Sequence, residues 1–246
     1  MKVAIRLFSV SFLLILFSSP YLWAQSNDSL FVAKVSNNIT SHYLNQLGSG
    51  APIYNGKKYI PDVRLDEHGH TLFINDQYTN GEFVYNGYAY KDKSLMYDLV
   101  YGQLVLLNFD KVGGIVVKSD MVDSFSLHNH KFINIKPAQI KDKEITPGYY
   151  DLLYDGDVAL LAKRIKKITE STTQYKVERT VAQENTYYLY KNNKYNLVKG
   201  KKSLLKLLHN TNPQNLQYIK SHRLNFRKSK ENAMVELVKF HDSIMH

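Results

Sequence analysis

Glu82-Phe83-Val84-Tyr85-Asn86-Gly87-Tyr88-Ala89-Tyr90 is the stretch that decides the fold of this chain. Aromatic and β-branched residues flank Asn-Gly on both sides, and this dipeptide readily adopts the two positive φ angles of a type I′ turn. The stretch therefore predicts a tight β-hairpin with a fixed strand register. Residues 54–59 repeat the pattern Tyr-Asn-Gly-x-x-Tyr of residues 85–90 and predict a second hairpin.

Short runs rich in β-branched and aromatic residues continue after this hairpin, and Gly, Asn or Asp separate them. We predict strands at 95–97, 104–109, 114–118, 122–127, 132–135, 149–154, 158–168, 186–190 and 195–199. The dipeptides Asp155-Gly156 and Asn192-Asn193 are predicted turns. Residues 53–199 are therefore expected to form an antiparallel β meander, arranged as a sandwich or a half-barrel.

Helical periodicity lies on both sides of this β region. Apolar residues recur at every fourth position from Phe31 to Leu47, which predicts a helix at 29–47 within an N-terminal helix and linker at 25–52. After Gly200 the apolar spacing is again helical, and Pro213 suits the first position of a helix. We expect two to three C-terminal helices in 200–246, packed on the same domain. The predicted fold class is α+β.

Residues 1–24 have the features of a secretory signal peptide. Lys2 and Arg6 precede an apolar run at 7–17 that is too short to span a membrane, and Ala24 is a small residue at the expected cleavage site. The alternative is an uncleaved membrane anchor. Because the chain has no cysteine, it fits a bacterial envelope protein better than a disulfide-rich secreted domain. We expect an exported protein of the periplasm or cell envelope, without a transmembrane segment after signal removal.

Positive charge is concentrated near the C-terminus. Removing the signal peptide lowers the formal net charge from +10 to +8, and residues 191–230 hold eleven Lys or Arg and no Asp or Glu. This segment predicts a surface that binds an anion or a partner protein. We call its five representative cations the basic C-terminal surface: Lys201, Lys202, Lys206, Arg223 and Arg227. The alternative is that these cations only line solvent-facing helices. Nucleic acid is not an expected partner of an exported protein.

Two histidine pairs are candidate metal ligands. His68 and His70, and likewise His128 and His130, have a spacing of two residues, which in a strand places both imidazoles on one face. The four imidazoles would form a metal site if the two segments met, and no other cofactor is predicted. The alternative is a pair of surface loops. The chain has no Gly-x-Ser-x-Gly, no cysteine nucleophile and no His-Glu-x-x-His, so the common catalytic signatures are missing.

Several segments resemble those of exported, uncharacterised proteins of Bacteroidota-type bacteria. They are Tyr-Asn-Gly-x-x-Tyr at 85–90, Leu-x-Tyr-Asp at 95–98, Ser-Phe-x-Leu at 124–127 and Gly-Tyr-Tyr-Asp-Leu-Leu-Tyr-Asp-Gly at 148–156. The resemblance spans most of the predicted mature chain. It implies an envelope location and no particular activity or catalytic residue.

The sequence leaves three functional hypotheses. The first is a non-enzymatic envelope protein that docks on a protein or an anionic envelope component through the basic C-terminal surface. The second is a binder of a small apolar or sugar ligand in a tyrosine-lined β pocket. The third is a metal-dependent hydrolase that uses the two histidine pairs.

Overall fold

The computed structural model of this protein describes residues 46–61, 69–140, 144–172, 177–208 and 213–244. Its strands are β1 Lys57–Lys58, β2 Thr79–Tyr85, β3 Tyr88–Asp98, β4 Gln103–Leu107, β5 Gly114–Val116, β6 Val122–Leu127, β7 His130–Ile135, β8 Gly148–Asp155, β9 Ala159–Thr172, β10 Val177–Lys191 and β11 Lys194–Val198. The α-helices are α1 Lys201–Leu207, α2 Pro213–Ser221 and α3 Lys230–Ser243. Single turns of 3₁₀ helix lie at Gly48–Gly50, Pro52–Tyr54 and Pro137–Gln139.

This content confirms the predicted α+β class, with a mainly antiparallel sheet and C-terminal helices. The predicted signal peptide, residues 29–45 of the predicted N-terminal helix, and His68 lie outside the described residues. No helix in the described part of the chain is long and apolar enough to cross a membrane.

The hairpin at Asn86-Gly87 is confirmed. Asn86 and Gly87 have φ angles of 52° and 80°, and Tyr85 pairs directly with Tyr88. The register that this turn fixes places Phe83 opposite Tyr90, and their rings stack with centroids 5.4 Å apart. The turn therefore sets the pairing of β2 with β3 and begins the aromatic core.

The prediction of a second hairpin at residues 54–59 is wrong. Pro52 begins a 3₁₀ turn, and Asn55 ends it with a φ of −83°, which a type I′ turn does not allow. Gly56 lies so close to β5 that a Cβ atom there would overlap the Val116 carbonyl. Lys57–Lys58 pairs with the distant β5 instead of with its sequence neighbours.

The described strands form a single sheet rather than the two sheets of a sandwich. Its strand order is β1-β5-β4-β3-β2-β6-β7-β8-β9-β10-β11, and every neighbouring pair is antiparallel. The strands β2 to β5 form one meander and β6 to β11 form another. The pairing of β2 with β6, with Phe83 opposite Phe125, joins the two meanders.

The sheet curls strongly. β3 and β9 are five positions apart in the strand order, which would separate them by about 24 Å in a flat sheet. The backbone N–H of Lys166 in β9 nevertheless donates to the carbonyl of Leu99, directly after β3, at 3.1 Å. The segment before Phe73 lies along the same strand end, since Leu99 N–H donates to the Thr71 carbonyl at 2.9 Å. The concave face is therefore partly enclosed by the sheet itself.

Aromatic rings fill the middle of the concave face. Phe125 and Phe132 stack with centroids 4.7 Å apart, and Tyr97 and Tyr149 each pack edge-on against Phe125 at 5.1 Å. All four side chains are buried. Aromatic pairs of this kind stabilise a core by about 0.5–1.5 kcal/mol beyond the area they bury.

The C-terminal helices cover the part of the sheet formed by β8 to β11. Leu204 of α1 and Met234 and Leu237 of α3 are completely buried in one cluster with Leu160 of β9 and Leu189 of β10. Each such side chain contributes about 1.5–3 kcal/mol relative to an exposed position. The helices are therefore part of the same core as the strands on which they lie, and their opposite faces point to solvent.

Candidate functional site

The lysines of the basic C-terminal surface are exposed because α1 is amphipathic. Leu204 and Leu205 bury one face of this helix against the sheet, so Lys201, Lys202 and Lys206 lie on the exposed face. Ser203 fixes the start of the helix: its hydroxyl accepts from the N–H of Gly200 at 2.9 Å and donates to the carbonyl of Gly200 at 2.8 Å.

The two arginines lie in the connection between α2 and α3. Arg223 follows the end of α2 with a positive φ of 50°, and both arginines are exposed. The Asn225 side chain orders the second half of this connection by accepting from the N–H of Arg227 at 3.0 Å. The ammonium of Lys201 lies 6.0 Å from the centre of the Phe226 ring. The structure therefore brings the start of α1 next to the arginine-bearing connection.

The five cations of this surface have no acidic partner among the described residues. Among the described residues, none of them forms an ion pair with a carboxylate, whereas several cations of the sheet do. Lys136 pairs with Asp123 at 2.6 Å, and Arg179 pairs with Glu170 at 2.6 Å. Unpaired, exposed cations attract anions over roughly a Debye length, about 8 Å at physiological salt. The basic C-terminal surface can therefore bind an anionic partner without first breaking an ion pair.

The described histidines of the predicted metal site have different partners. His130 Nδ1 lies 2.7 Å from Asp151 Oδ2, and His128 Nε2 lies 3.3 Å from Thr79 Oγ1. The ring of Phe73 packs against both imidazoles, with centroids 5.1 Å from that of His130 and 6.2 Å from that of His128. The structure therefore brings these two histidines to one aromatic side chain.

The third described histidine, His70, lies against β9. Lys166 Nζ donates to its carbonyl at 2.8 Å and lies 3.4 Å from its Nδ1. Within the described ranges, no group of three or more His, Cys, Asp or Glu side chains is arranged to bind a metal ion. Because the predicted site also includes His68, which is outside those ranges, the four-histidine site stays a prediction.

A buried ionic network that the sequence reading missed lies beside these histidines. Arg164 donates to Asp151 from Nε at 2.7 Å and to both carboxylate oxygens of Glu231 at 3.0 and 2.9 Å. Only 5% of the Arg164 side chain and 1% of the Asp151 side chain are exposed. Burial opposes the charge of Arg164, but the hydrogen bonds to Glu231 and the charge of Asp151 raise its pKa above the ordinary value.

This network joins β8, β9 and α3. Tyr187 of β10 adds a hydrogen bond from its hydroxyl to Glu231 at 3.1 Å. Paired charges that are buried hold their strands and helix in one arrangement, because separating the elements would leave a buried charge without its partner. The network therefore fixes α3 on the sheet rather than presenting a group to a substrate. Its members are separated by up to 80 residues, and no local pattern marks them.

A cleft of about 460 Å³ lies on the other side of the sheet, lined among others by Tyr59, Tyr78 and Met96. The Tyr59 hydroxyl donates to the fully buried Asp98 at 2.8 Å, and Thr71 donates to the same oxygen at 2.8 Å. These bonds fix the Tyr59 ring at the cleft wall. Since aromatic rings fill the concave face, this cleft offers the small-ligand hypothesis a tyrosine-lined space outside the core.

Comparison with protein-family models, with curated proteins and with solved structures found no match to this chain.

Proposed function

We propose that this protein is a non-enzymatic, exported envelope protein that docks on phosphate-bearing anionic lipid of the bacterial envelope through its basic C-terminal surface. Export rests on the signal-peptide features of residues 1–24. The observation that carries the docking proposal is the set of five exposed cations on α1 and the α2–α3 connection, none of which is paired with a described carboxylate.

Charge segregation supports an anionic surface as the partner. The cations occur in a stretch of the chain without any acidic residue. The rest of the predicted mature chain has a formal net charge of −3. Each Lys or Arg near an anionic membrane contributes about 1 kcal/mol of attraction. Leu216 of α2 is 42% exposed, so the helical part of the chain also offers exposed apolar area to a membrane. The five cations are therefore sufficient for reversible, salt-sensitive docking.

A small-ligand binder remains the second candidate. The cleft lined by Tyr59, Tyr78 and Met96 supports it, because aromatic walls with a few fixed polar groups are typical of ligand sites. The half-barrel of the original hypothesis would place the ligand inside the curl. The packed rings of Phe125 and Phe132 occupy that space, so we propose the cleft for this candidate instead.

The test of the docking proposal is charge reversal. A variant with Lys201, Lys202, Lys206, Arg223 and Arg227 changed to Glu is compared with a variant in which five exposed lysines of the strands and the β4–β5 connection are changed to Glu. The control lysines are Lys57, Lys58, Lys91, Lys111 and Lys131. Both variants have the same net charge.

The measured quantity is the fraction of protein that sediments with envelope membranes of the host. We expect the first variant to lose envelope association at an unchanged melting temperature, and the control variant to retain it. Retained association of the first variant would refute docking through this surface. Equal loss in both variants would show that net charge, and not this surface, determines association. Loss of binding of the unchanged protein after protease treatment of the membranes would be inconsistent with a lipid partner.

A further inference from the structure

Two neighbouring clefts share part of their lining, and none of the five cations of the basic C-terminal surface lines either of them. One has a volume of about 490 Å³ and the other about 310 Å³, and both are lined by Gly102, Ser119 and Asp120. The segments that follow β3, β5 and β7 contribute to this lining. The two clefts therefore form one continuous groove, which we call the Asp120 groove.

Asp120 stands at the junction of the two clefts with its carboxylate exposed. It forms no hydrogen bond or ion pair with any other described residue. Its loop is nonetheless fixed: the side-chain amide of Asn134 donates to the carbonyls of Ser119 at 2.7 Å and Val122 at 2.8 Å. The groove therefore presents a positioned acceptor that has no partner within the described ranges.

A second unsatisfied group lies beside this carboxylate. Tyr149 lines the smaller cleft, is only 2% exposed, and its buried hydroxyl has no hydrogen-bond partner among the described residues. Tyr149 and Asp120 both line this cleft, and burial, together with the Asp120 charge, raises the pKa of Tyr149. A buried hydroxyl without a partner costs about 1–3 kcal/mol. Beside the groove, the described part of the chain therefore leaves hydrogen-bonding capacity unused at both Asp120 and Tyr149.

The remaining lining determines the class of ligand. Tyr101, which is 53% exposed, offers a flat apolar ring at the wall of the larger cleft. Asn55 and Gln103 add amides that both donate and accept. Lys118 and Asp120 supply opposite charges to the same cleft. An aromatic ring can cover the apolar face of a pyranose, and the surrounding amides and charged groups can donate to and accept from its hydroxyls. This lining complements a pyranose better than it complements an anion or a lipid chain.

We propose that the Asp120 groove binds a neutral oligosaccharide, with a sugar ring on Tyr101 and sugar hydroxyls hydrogen-bonded to Asp120. The open, two-part shape suits a linear chain rather than a single compact ligand. Docking through the basic C-terminal surface and glycan binding in this groove use different residues, so each can be lost without the other.

The test uses isothermal titration of the purified protein with cellohexaose, maltohexaose, xylohexaose and, as a charged probe, hexagalacturonic acid. We expect saturable binding of at least one neutral hexasaccharide. Tyr101→Ala should weaken it about tenfold, which matches the loss of one ring contact, and Asp120→Asn should weaken it as well. The backbone N–H of Tyr101, which donates to Asp98 at 3.0 Å, is untouched by the first change.

Matched controls are Tyr88→Ala, at a ring that is 44% exposed in β3, and Asp155→Asn, at an exposed carboxylate in the β8–β9 turn. Both should bind like the unchanged protein. The proposal would be overturned if none of the three neutral probes bound at about 1 mM, or if only the charged probe bound. It would also be overturned if Tyr101→Ala and Tyr88→Ala weakened binding equally.

Discussion

Replacing Arg164 by Met should be among the most damaging single changes in the sheet. Arg164 is held between Asp151 and Glu231, and the Asp151 side chain is only 1% exposed. Without the guanidinium, the Asp151 carboxylate keeps the imidazole of His130, at 2.7 Å, as its side-chain partner among the described residues. Removing one partner of a buried ion pair costs about 3–5 kcal/mol, and we expect a loss of that size in the free energy of unfolding.

The measurement is urea unfolding followed by circular dichroism. The matched control is Lys167→Met in the same strand, because Lys167 pairs with Glu184 at 2.7 Å with 59% and 53% of the two side chains exposed. The control should cost less than about 1 kcal/mol. A double variant, Arg164→Met with Asp151→Leu, should recover part of the loss because the carboxylate that remains, Glu231, is 27% exposed and keeps its hydrogen bond from Tyr187. An Arg164→Met variant as stable as the Lys167→Met control would refute the reasoning.

Three further changes test other parts of the fold. Gly87→Ala should lower the free energy of unfolding by about 1–2 kcal/mol, because the φ of Gly87 is 80° although there is space for a Cβ atom. An unchanged midpoint of urea unfolding would contradict the turn. Asp242→Ala should lower the free energy of unfolding by about 2 kcal/mol, since the Asp242 carboxylate accepts from the Tyr154 hydroxyl and from the backbone N–H of Asp157, each at 2.9 Å. A melting temperature equal to that of the parent would argue against a stabilising role of these two hydrogen bonds. Burial raises the pKa of Tyr97 and Tyr149 above 10.0, so their contribution to stability is complete below pH 10.0 and declines as the pH rises towards the folded-state values. Urea midpoints that stay constant from about pH 8 to about pH 12 would be inconsistent with these buried phenols.

The features that the sequence predicted correctly are local. Asn86-Gly87 forms its turn because both positive φ angles are available to these two residues at little cost. The C-terminal helices form where the apolar residues repeat at helical spacing, and Pro213 begins α2 as predicted. The exposure of Lys201 and its neighbours was predictable for the same reason, because an amphipathic helix that buries its leucines turns its lysines outwards.

The features that the sequence did not predict depend on distant partners. Tyr54 to Tyr59 repeats a hairpin pattern, yet contacts with β5 decide its conformation. The curl of the sheet and the pairing of β2 with β6 also join segments far apart in the chain. The ionic network around Arg164 and the groove around Asp120 consist of single residues from separate loops and strands, and only the folded chain brings them together.

The outer half of the long β9–β10 hairpin was missed for a different reason, although strands were predicted at 158–168 and 186–190. These strands pair without interruption from Thr172 opposite Val177 to Ala159 opposite Tyr190. The residues near their tip are mostly polar on both faces, so the alternation that marks a half-buried strand is absent there. Exposed ion pairs such as Arg179 with Glu170 accompany the backbone ladder instead.

The central claim is that the basic C-terminal surface docks on phosphate-bearing lipid. The most direct measurement is co-sedimentation of the purified protein with phosphatidylglycerol vesicles and with phosphatidylcholine vesicles over a range of NaCl concentrations. We predict binding to the anionic vesicles alone, weakening steadily as salt screens the attraction. Equal binding to both kinds of vesicle, or binding to anionic vesicles that salt does not weaken, would contradict the claim.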